Sequence, residues 1–180
     1  MKFDRIIIGG RACSGKDTVA NYLAEKYGLK KISFADPIYQ IARDYFGMTD
    51  KDRTLLQAIG EKMREIDPDV WVRAAFRKAD KYEKVVISDC RRANEYLAAK
   101  ERGYIPIRIH ADLEKRIQRC IERDGVYPNL DEWENESETG ADGFPFIEIS
   151  NNGTKEELYQ LIDYIIENGV DWSYETTSGH

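Results

Sequence analysis

A chain of 180 residues, 42% apolar and 33% charged, has room for one hydrophobic core of ordinary size, so a single domain over 1–180 is expected. Its net charge of −6 argues against a protein that lives on the phosphates of long nucleic acids, where affinity comes from many clustered cations, yet a few arginines can still converge on a small anion. No apolar run reaches the length of a membrane span and the strand-like run begins by Arg5, so the expected setting is cytoplasmic, with no membrane partner.

Phe3 to Ile8 is a β-branched apolar run closed by Gly9 and Gly10, the pattern of a strand buried on both faces. From Lys16 to Tyr27, Val19, Ala20, Leu23, Ala24 and Tyr27 recur at helical spacing, and Gly28 stands where a helix stops. Lys31 to Phe34 reads as a second strand, and Asp36-Pro37 as an N-cap followed by proline ahead of a helix carrying Ile38, Ile41, Ala42 and Tyr45. Asp52 to Ile66 and Val70 to Ala79 are two more helical stretches, the second announced by Asp67-Pro68. So much helix between strands predicts a segment that covers a substrate.

Val85, Val86 and Ile87 form a third strand ending at Ser88-Asp89. A helix over Arg92 to Arg102 and a fourth strand over Tyr104 to Ile109 complete a βαβ unit. Leu113 to Arg123 is helical, whereas Asp124 to Gly143 is longer than ordinary connections and reads as a lid or a disordered stretch. Phe146 to Ile149 is the fifth strand, and Thr154 with Glu157 makes a capping box before Leu158, Leu161, Ile162 and Ile165. Beyond Val170 the chain is expected to fray, with Trp172 and Tyr174 available to pack back. Cys13, Cys90 and Cys120 include no C-x-x-C pair and are expected to be free thiols in a reducing cytosol. The expected fold is α/β, a three-layer α/β/α sandwich around a five-stranded parallel sheet. Its core would span 1–35, 84–111 and 145–170, with a helical acceptor-binding insert at 36–80 and a lid at 112–144.

The chemistry starts at Gly10-Arg11-Ala12-Cys13-Ser14-Gly15-Lys16-Asp17-Thr18, which lies between the first strand and the first helix and has the spacing of a phosphate-binding P-loop. Its glycines let the backbone wrap a phosphate, the amides and helix N-terminus supply partial positive charge, and Lys16 adds a full one. Asp17 stands where serine or threonine normally meets Mg²⁺, and Thr18 comes one place late, so the metal is expected to be held largely by phosphates and water with an acidic side chain nearby. Asp89, at the end of an apolar strand, suits a carboxylate that orients hydrated Mg²⁺, or else caps the helix that follows. Arg91 and Arg92 follow it and can clamp an acceptor phosphate. Arg116, Arg119 and Arg123 share one face of their helix, either against donor phosphates or as a solvated face. Asp36 either meets the acceptor or simply caps its helix.

With those residues in place, the chain resembles the deoxynucleoside monophosphate kinase family of bacteriophages and bacteria, related to adenylate and dephospho-coenzyme A kinases. The resemblance spans nearly the whole chain. It rests on the P-loop, Ser33-Phe34-Ala35-Asp36-Pro37, Gln57 with Gly60 and Arg64, Asp67-Pro68-Asp69-Val70-Trp71, Asp89 to Glu95, Ser137-Glu138, and Asn151-Asn152-Gly153-Thr154. Family members often carry histidine where Asn135 stands and a phenylalanine-like residue where Arg92 stands.

The resemblance implies an enzyme that uses ATP and Mg²⁺ to phosphorylate a (deoxy)nucleoside 5'-monophosphate, acting as a monomer or homodimer. Lys16, Asp89, Arg91, Arg116 and Arg119 would be catalytic, and Asp17 and Asp89 would stand near the metal. Asp36, Gln57, Arg64, Trp71, Arg91 and Arg92 would surround the acceptor, while Asn152 and Gly153 would border the adenine. Another small-molecule kinase of the same architecture, such as a dephospho-coenzyme A or phosphomevalonate-type kinase, is the alternative. A regulatory nucleotide-binding ATPase is a more distant one, since no Asn-Lys-x-Asp guanine-reading element is present.

Overall fold

The computed structural model describes residues 3–130 and 140–169; Asn135, Ser137, Glu138, Trp172 and Tyr174 lie outside the described residues. Five strands, β1 (Arg5–Gly9), β2 (Lys30–Ile32), β3 (Val85–Cys90), β4 (Ile105–His110) and β5 (Ile147–Ser150), form one parallel sheet in the order β2-β3-β1-β4-β5. Seven helices accompany them among the described residues: α1 (Lys16–Tyr27), α2 (Asp36–Phe46), α3 (Arg53–Ile66), α4 (Val70–Ala79), α5 (Ala93–Glu101), α6 (Leu113–Asp124) and α7 (Lys155–Asn168).

Alternation along the strands divides the core into two layers, because successive side chains of a strand point to opposite faces. Ile6 and Ile8 of β1 pack with Val19, Ala20 and Leu23 of α1 and Leu158, Ile162 and Ile165 of α7. Ile7, between them in sequence, joins Val72, Ala75 and Phe76 of α4 and Tyr96 and Ala99 of α5 on the other side. Both faces of the sheet are thus covered, as parallel strands with continuous apolar runs require. A satellite cluster of Ile38, Ala42, Ile59 and Trp71 holds α2, α3 and α4 together.

Local signals set most of the boundaries. Gly28 ends α1 in the left-handed region at φ 73°, with its N–H returning to the Ala24 carbonyl and that of Leu29 to the Leu23 carbonyl. The Asp52 carboxylate caps α3 by accepting from Leu55 N at 3.0 Å. Thr154 and Glu157 form the capping box of α7, through Thr154 N to Glu157 Oε2 at 2.7 Å and Glu157 N to Thr154 Oγ1 at 3.2 Å.

Three expectations need correcting. β2 ends at Ile32 rather than Phe34, because Ser33, Phe34 and Ala35 turn out of the ladder to donate to the Asp89 carboxylate. Asp36 sits in the first turn of α2 after Ala35 at the N-cap position, its carboxylate drawn to Ser33 N and Lys78 Nζ instead of capping the helix. Cys13 and Cys120 are not free thiols: they form a disulfide across 107 residues, with Cα atoms 5.8 Å apart. Cys90 is free and buried, and burial pushes its thiol well above the usual range.

Candidate active site

In a parallel sheet every strand delivers its C-terminal end to the same edge, and here that edge collects the phosphate loop after β1, Ser33 after β2, Asp89 to Arg92 at the end of β3, and Asn151 after β5. β1 lies at the centre, between β3 and β4, so the loop it feeds has groups from other strands on both sides.

The loop is wound as the sequence demands. Gly10 has φ +132° and Gly15 φ +107°; a Cβ would run into Ile109 O at the first and into the Asn151 amide at the second, so only glycine fits. Cys13, at φ 60°, is the non-glycine residue with positive φ among the described residues, and the Ser14 N–H that follows it donates to Arg11 O at 3.2 Å. Lys16 is buried, and its ammonium donates to Gly10 O at 2.6 Å and Arg11 O at 2.8 Å, curled across the loop. Ala12 and Thr18 are half-buried on either side.

Behind the loop a polar chain ties three elements together. Asn151, buried at the end of β5, donates from Nδ2 to Ser14 O at 2.8 Å, and its own carbonyl accepts from Arg119 Nη2 of α6 at 2.8 Å. Ser14 Oγ and Arg119 Nη1 are buried with no hydrogen-bond partner among the described residues. Arg116, one turn earlier on α6, is also buried. Two orphaned buried donors beside the loop suit an anionic partner, since buried polar groups are seldom left unpaired. The arginine-bearing face of α6 is thus partly turned inward; Arg123, at its C-terminal end, bonds Asp124 and approaches Cys120 Sγ at 3.7 Å.

The carboxylates are more occupied than the sequence suggests. Asp89 accepts from Ser33 Oγ at 2.6 Å, Phe34 N at 2.8 Å and Ala35 N at 3.1 Å, so it fastens the β2–α2 turn to the end of β3. Asp17 faces out from the first turn of α1 and pairs with Lys31 at 2.6 Å. Asp36 pairs with Lys78 at 2.9 Å. Among the described residues no three or more His, Cys, Asp or Glu form a metal-binding group. Magnesium held here would have to take its coordination mostly from phosphate oxygens and water, since Asp89 and Asp17 are already engaged.

On the other side of the crevice, Arg64 of α3 and Arg92 after β3 share one partner. Glu61 Oε1 accepts from Arg64 Nη1 at 3.1 Å and from Arg92 Nη2 at 3.0 Å. Burial first, and then the neighbouring Arg92 cation, lower the Arg64 pKa. Gln57, Glu61 and Arg64 lie on one face of α3, three to four residues apart. Arg91 is half-buried between Asp89 and Arg92, and its N–H, with that of Arg92, donates to Glu95 Oε2 at 2.8 and 3.0 Å. Trp71 does not present an open face: it is 3% exposed, with Nε1 donating to Gly60 O at 3.1 Å, and it braces the α3 turn that carries Arg64. Asn152 exchanges hydrogen bonds with Asp112 at 2.9 and 3.0 Å, joining the β5–α7 turn to the start of α6, and Gly153 follows against Glu157.

Sequence reasoning gave no role to Asn151, Glu61 or Glu95, although Asn151 and Glu95 stand in the motifs that carry the resemblance. Asn151 could have been found from its place directly after a strand that ends beside the loop. Glu61 had a signal in its i,i+3 spacing to Arg64, whereas nothing local distinguishes Glu95 from an ordinary helix-start glutamate.

Known proteins share part of this sequence and its fold. The family described as "AAA domain" matches residues 6–139. Two uncharacterized proteins of Ictalurid herpesvirus 1 (strain Auburn), ORF76 and ORF77, are 35% identical over 94 residues and 36% identical over 76. Those stretches cover 48% and 41% of this chain but only 39% and 33% of the viral proteins. Among solved structures, TT1252 from Thermus thermophilus superposes with a TM-score of 0.59 at 18% identity, covering 92% of this chain and 98% of its own. Shikimate kinase from Acinetobacter baumannii gives 0.56 at 17%, covering 92% and 95%, and a gluconokinase from Sinorhizobium meliloti 1021 gives 0.51 at 17%, covering 94% and 100%. At such identities the likeness establishes the fold.

Proposed function

Because this chain belongs to the family described as "AAA domain" and carries a wound phosphate loop opposite a pair of arginines, we propose that it is an ATP-dependent kinase acting on a small phosphorylated metabolite. The leading acceptor is a (deoxy)nucleoside 5'-monophosphate. The observation that carries the reading is the double one: buried, orphaned donors at the P-loop, and the Arg64–Arg92 pair gathered on one carboxylate oxygen at the facing wall. A neutral sugar acceptor has no use for two half-buried guanidinium groups, whereas a phosphate monoester does.

Phosphoryl transfer asks for positioning and charge neutralisation more than for a strong base. In this reading the loop amides, Ser14 Oγ and Lys16 hold the donor phosphates, and Arg116 and Arg119 of α6 reach them from the other side. Arg64, Arg91 and Arg92 hold the acceptor phosphate in line, with Trp71 bracing α3 from behind. Asp36 and Gln57 flank the acceptor, while Asn152 and Gly153 border the adenine. Magnesium, when bound, would neutralise charge spreading over the transferring group; Asp89, whose oxygens already hold the β2–α2 turn, would orient its water, with Asp17 farther out.

The test is a screen of ribo- and deoxynucleoside monophosphates, together with dephospho-coenzyme A and phosphomevalonate, following ADP formation from ATP. One phosphorylated acceptor should stimulate ADP release far above basal hydrolysis, and Lys16→Met should abolish it while circular dichroism and the melting temperature stay native. Equal basal hydrolysis with every acceptor would instead identify a regulatory ATPase.

A further inference from the structure

The disulfide between Cys13 and Cys120 joins the phosphate loop to helix α6, which carries Arg116 and Arg119. We propose that this pair is a redox modification site, opened and closed by thiol–disulfide exchange with low-molecular-weight dithiols and disulfides, and that the closed bridge holds α6 against the loop and slows nucleotide release. The inference rests on the kinase reading above, since it needs the loop to hold a nucleotide.

The surroundings favour exchange at this pair over the third cysteine. Cys13 is half-buried and Cys120 is 3% exposed, so an incoming thiolate meets Cys13 Sγ first. Its attack forms a mixed disulfide at Cys13 and expels Cys120 as a thiolate. That thiolate is stabilised by Arg123 Nη2, 3.7 Å from Cys120 Sγ, on a helix face that also carries Arg116 and Arg119. The reagent's second thiol then attacks its own mixed-disulfide sulfur and releases Cys13 beside Lys16 and the start of α1. Both cysteines end as thiols and the dithiol as a cyclic disulfide, a transfer of two electrons and two protons that the reverse reaction undoes. Cys90 is 2% exposed, and burial outweighs the nearby Arg108 cation and pushes it toward the neutral thiol, so it stays out of the exchange.

The bridge is positioned to act on release and not only on stability. Cys13 is the non-glycine loop residue held at positive φ, between residues whose amides would grip a phosphate, and Cys120 follows Arg119, whose side chain already reaches Asn151 and through it Ser14. With the disulfide closed, α6 is anchored to the loop covalently and by that hydrogen-bonded chain. With it open, only the hydrogen bonds remain, and the helix can draw back to let the product go.

The experiment uses the full chain equilibrated with either dithiothreitol or its cyclic oxidised form. Thiols counted after denaturation should number three per chain when reduced and one when oxidised, Cys90 alone remaining. Release of a fluorescent ADP analogue, chased with excess ATP in a stopped-flow instrument, should be about tenfold slower from the oxidised protein, the change that roughly 1.4 kcal/mol of added barrier produces. Cys120→Ser should release at the reduced rate under both conditions. Equal release from both states, with only the melting temperature changed, would show a merely structural bridge and overturn the proposal. So would three thiols in both states, faster release when oxidised, or a Cys120→Ser protein that still responds. An analogue that binds neither state would sink the kinase reading together with this one.

Discussion

Replacing Glu95 with glutamine should flatten the dependence of stability on pH between about 4.5 and 7. Glu95 is 4% exposed, and its Oε2 accepts from the backbone N–H groups of Arg91 and Arg92. Burial, reinforced by the nearby Asp89 charge, outweighs those hydrogen bonds and raises its pKa from 4.5 to about 7. The folded protein therefore holds a proton that the unfolded chain has lost in this interval, so folding weakens as pH rises through it. At about 1.4 kcal/mol per unit, the span from 4.5 to about 7 corresponds to roughly 3 kcal/mol, fully in force above the upper value and absent below the lower one. Glu95→Gln keeps a carbonyl oxygen for the two N–H donors and removes the ionisation. Melts of both proteins at intervals from pH 4 to 8 read the difference. Relative to the variant, the wild type should lose roughly 6–12 °C of melting temperature across the window, taking about 2–4 °C per kcal/mol for a chain of this size. Parallel curves for the two proteins would refute the reasoning, because every other titrating group is common to both.

Three further substitutions probe the two walls of the crevice. Glu61→Gln removes the charge that pairs with Arg64 and Arg92, so the acceptor KM should fall severalfold with kcat unchanged in steady-state kinetics; a higher KM would mean that Glu61 serves the acceptor by holding the arginines in place. Asn151→Ala severs the link between Ser14 and β5 and should cost roughly 1–2 kcal/mol in urea unfolding, with a raised KM for ATP. Gly15→Ala places a Cβ against the Asn151 amide at φ +107° and should add roughly 1–3 kcal/mol of local strain, seen as a lower melting temperature and weaker ATP binding by calorimetry.

The parts of the molecule governed by local rules were readable from sequence. The bounds of α1 follow from the P-loop spacing at one end and Gly28 at the other, and those of α4 match the helix announced by Asp67-Pro68. The α7 capping box follows from Thr154 and Glu157, and the parallel sheet from apolar runs alternating with helices. The phosphate loop was legible for the same reason, since its motif, strand and helix are contiguous. What escaped depends on distant partners. The Cys13–Cys120 bridge needs α6 to cross beside the loop, which no spacing encodes. Asp89 reads as a strand-end carboxylate for Mg²⁺ or a helix cap until the β2–α2 turn is seen donating to it three times, and Trp71, set around the acceptor by the resemblance, is enclosed by α2 and α3. Asp36 reads as a helix cap until Lys78 of α4 claims it.

The most direct measurement follows the terminal phosphate of ATP itself. With that phosphate radiolabelled and the protein supplied with Mg²⁺ and each nucleoside monophosphate in turn, label should pass into the matching nucleoside diphosphate with one acceptor far ahead of the rest, and none should pass with Lys16→Met. Label recovered only as inorganic phosphate, whatever acceptor is offered, would contradict the assignment of this crevice to phosphoryl transfer between two nucleotides.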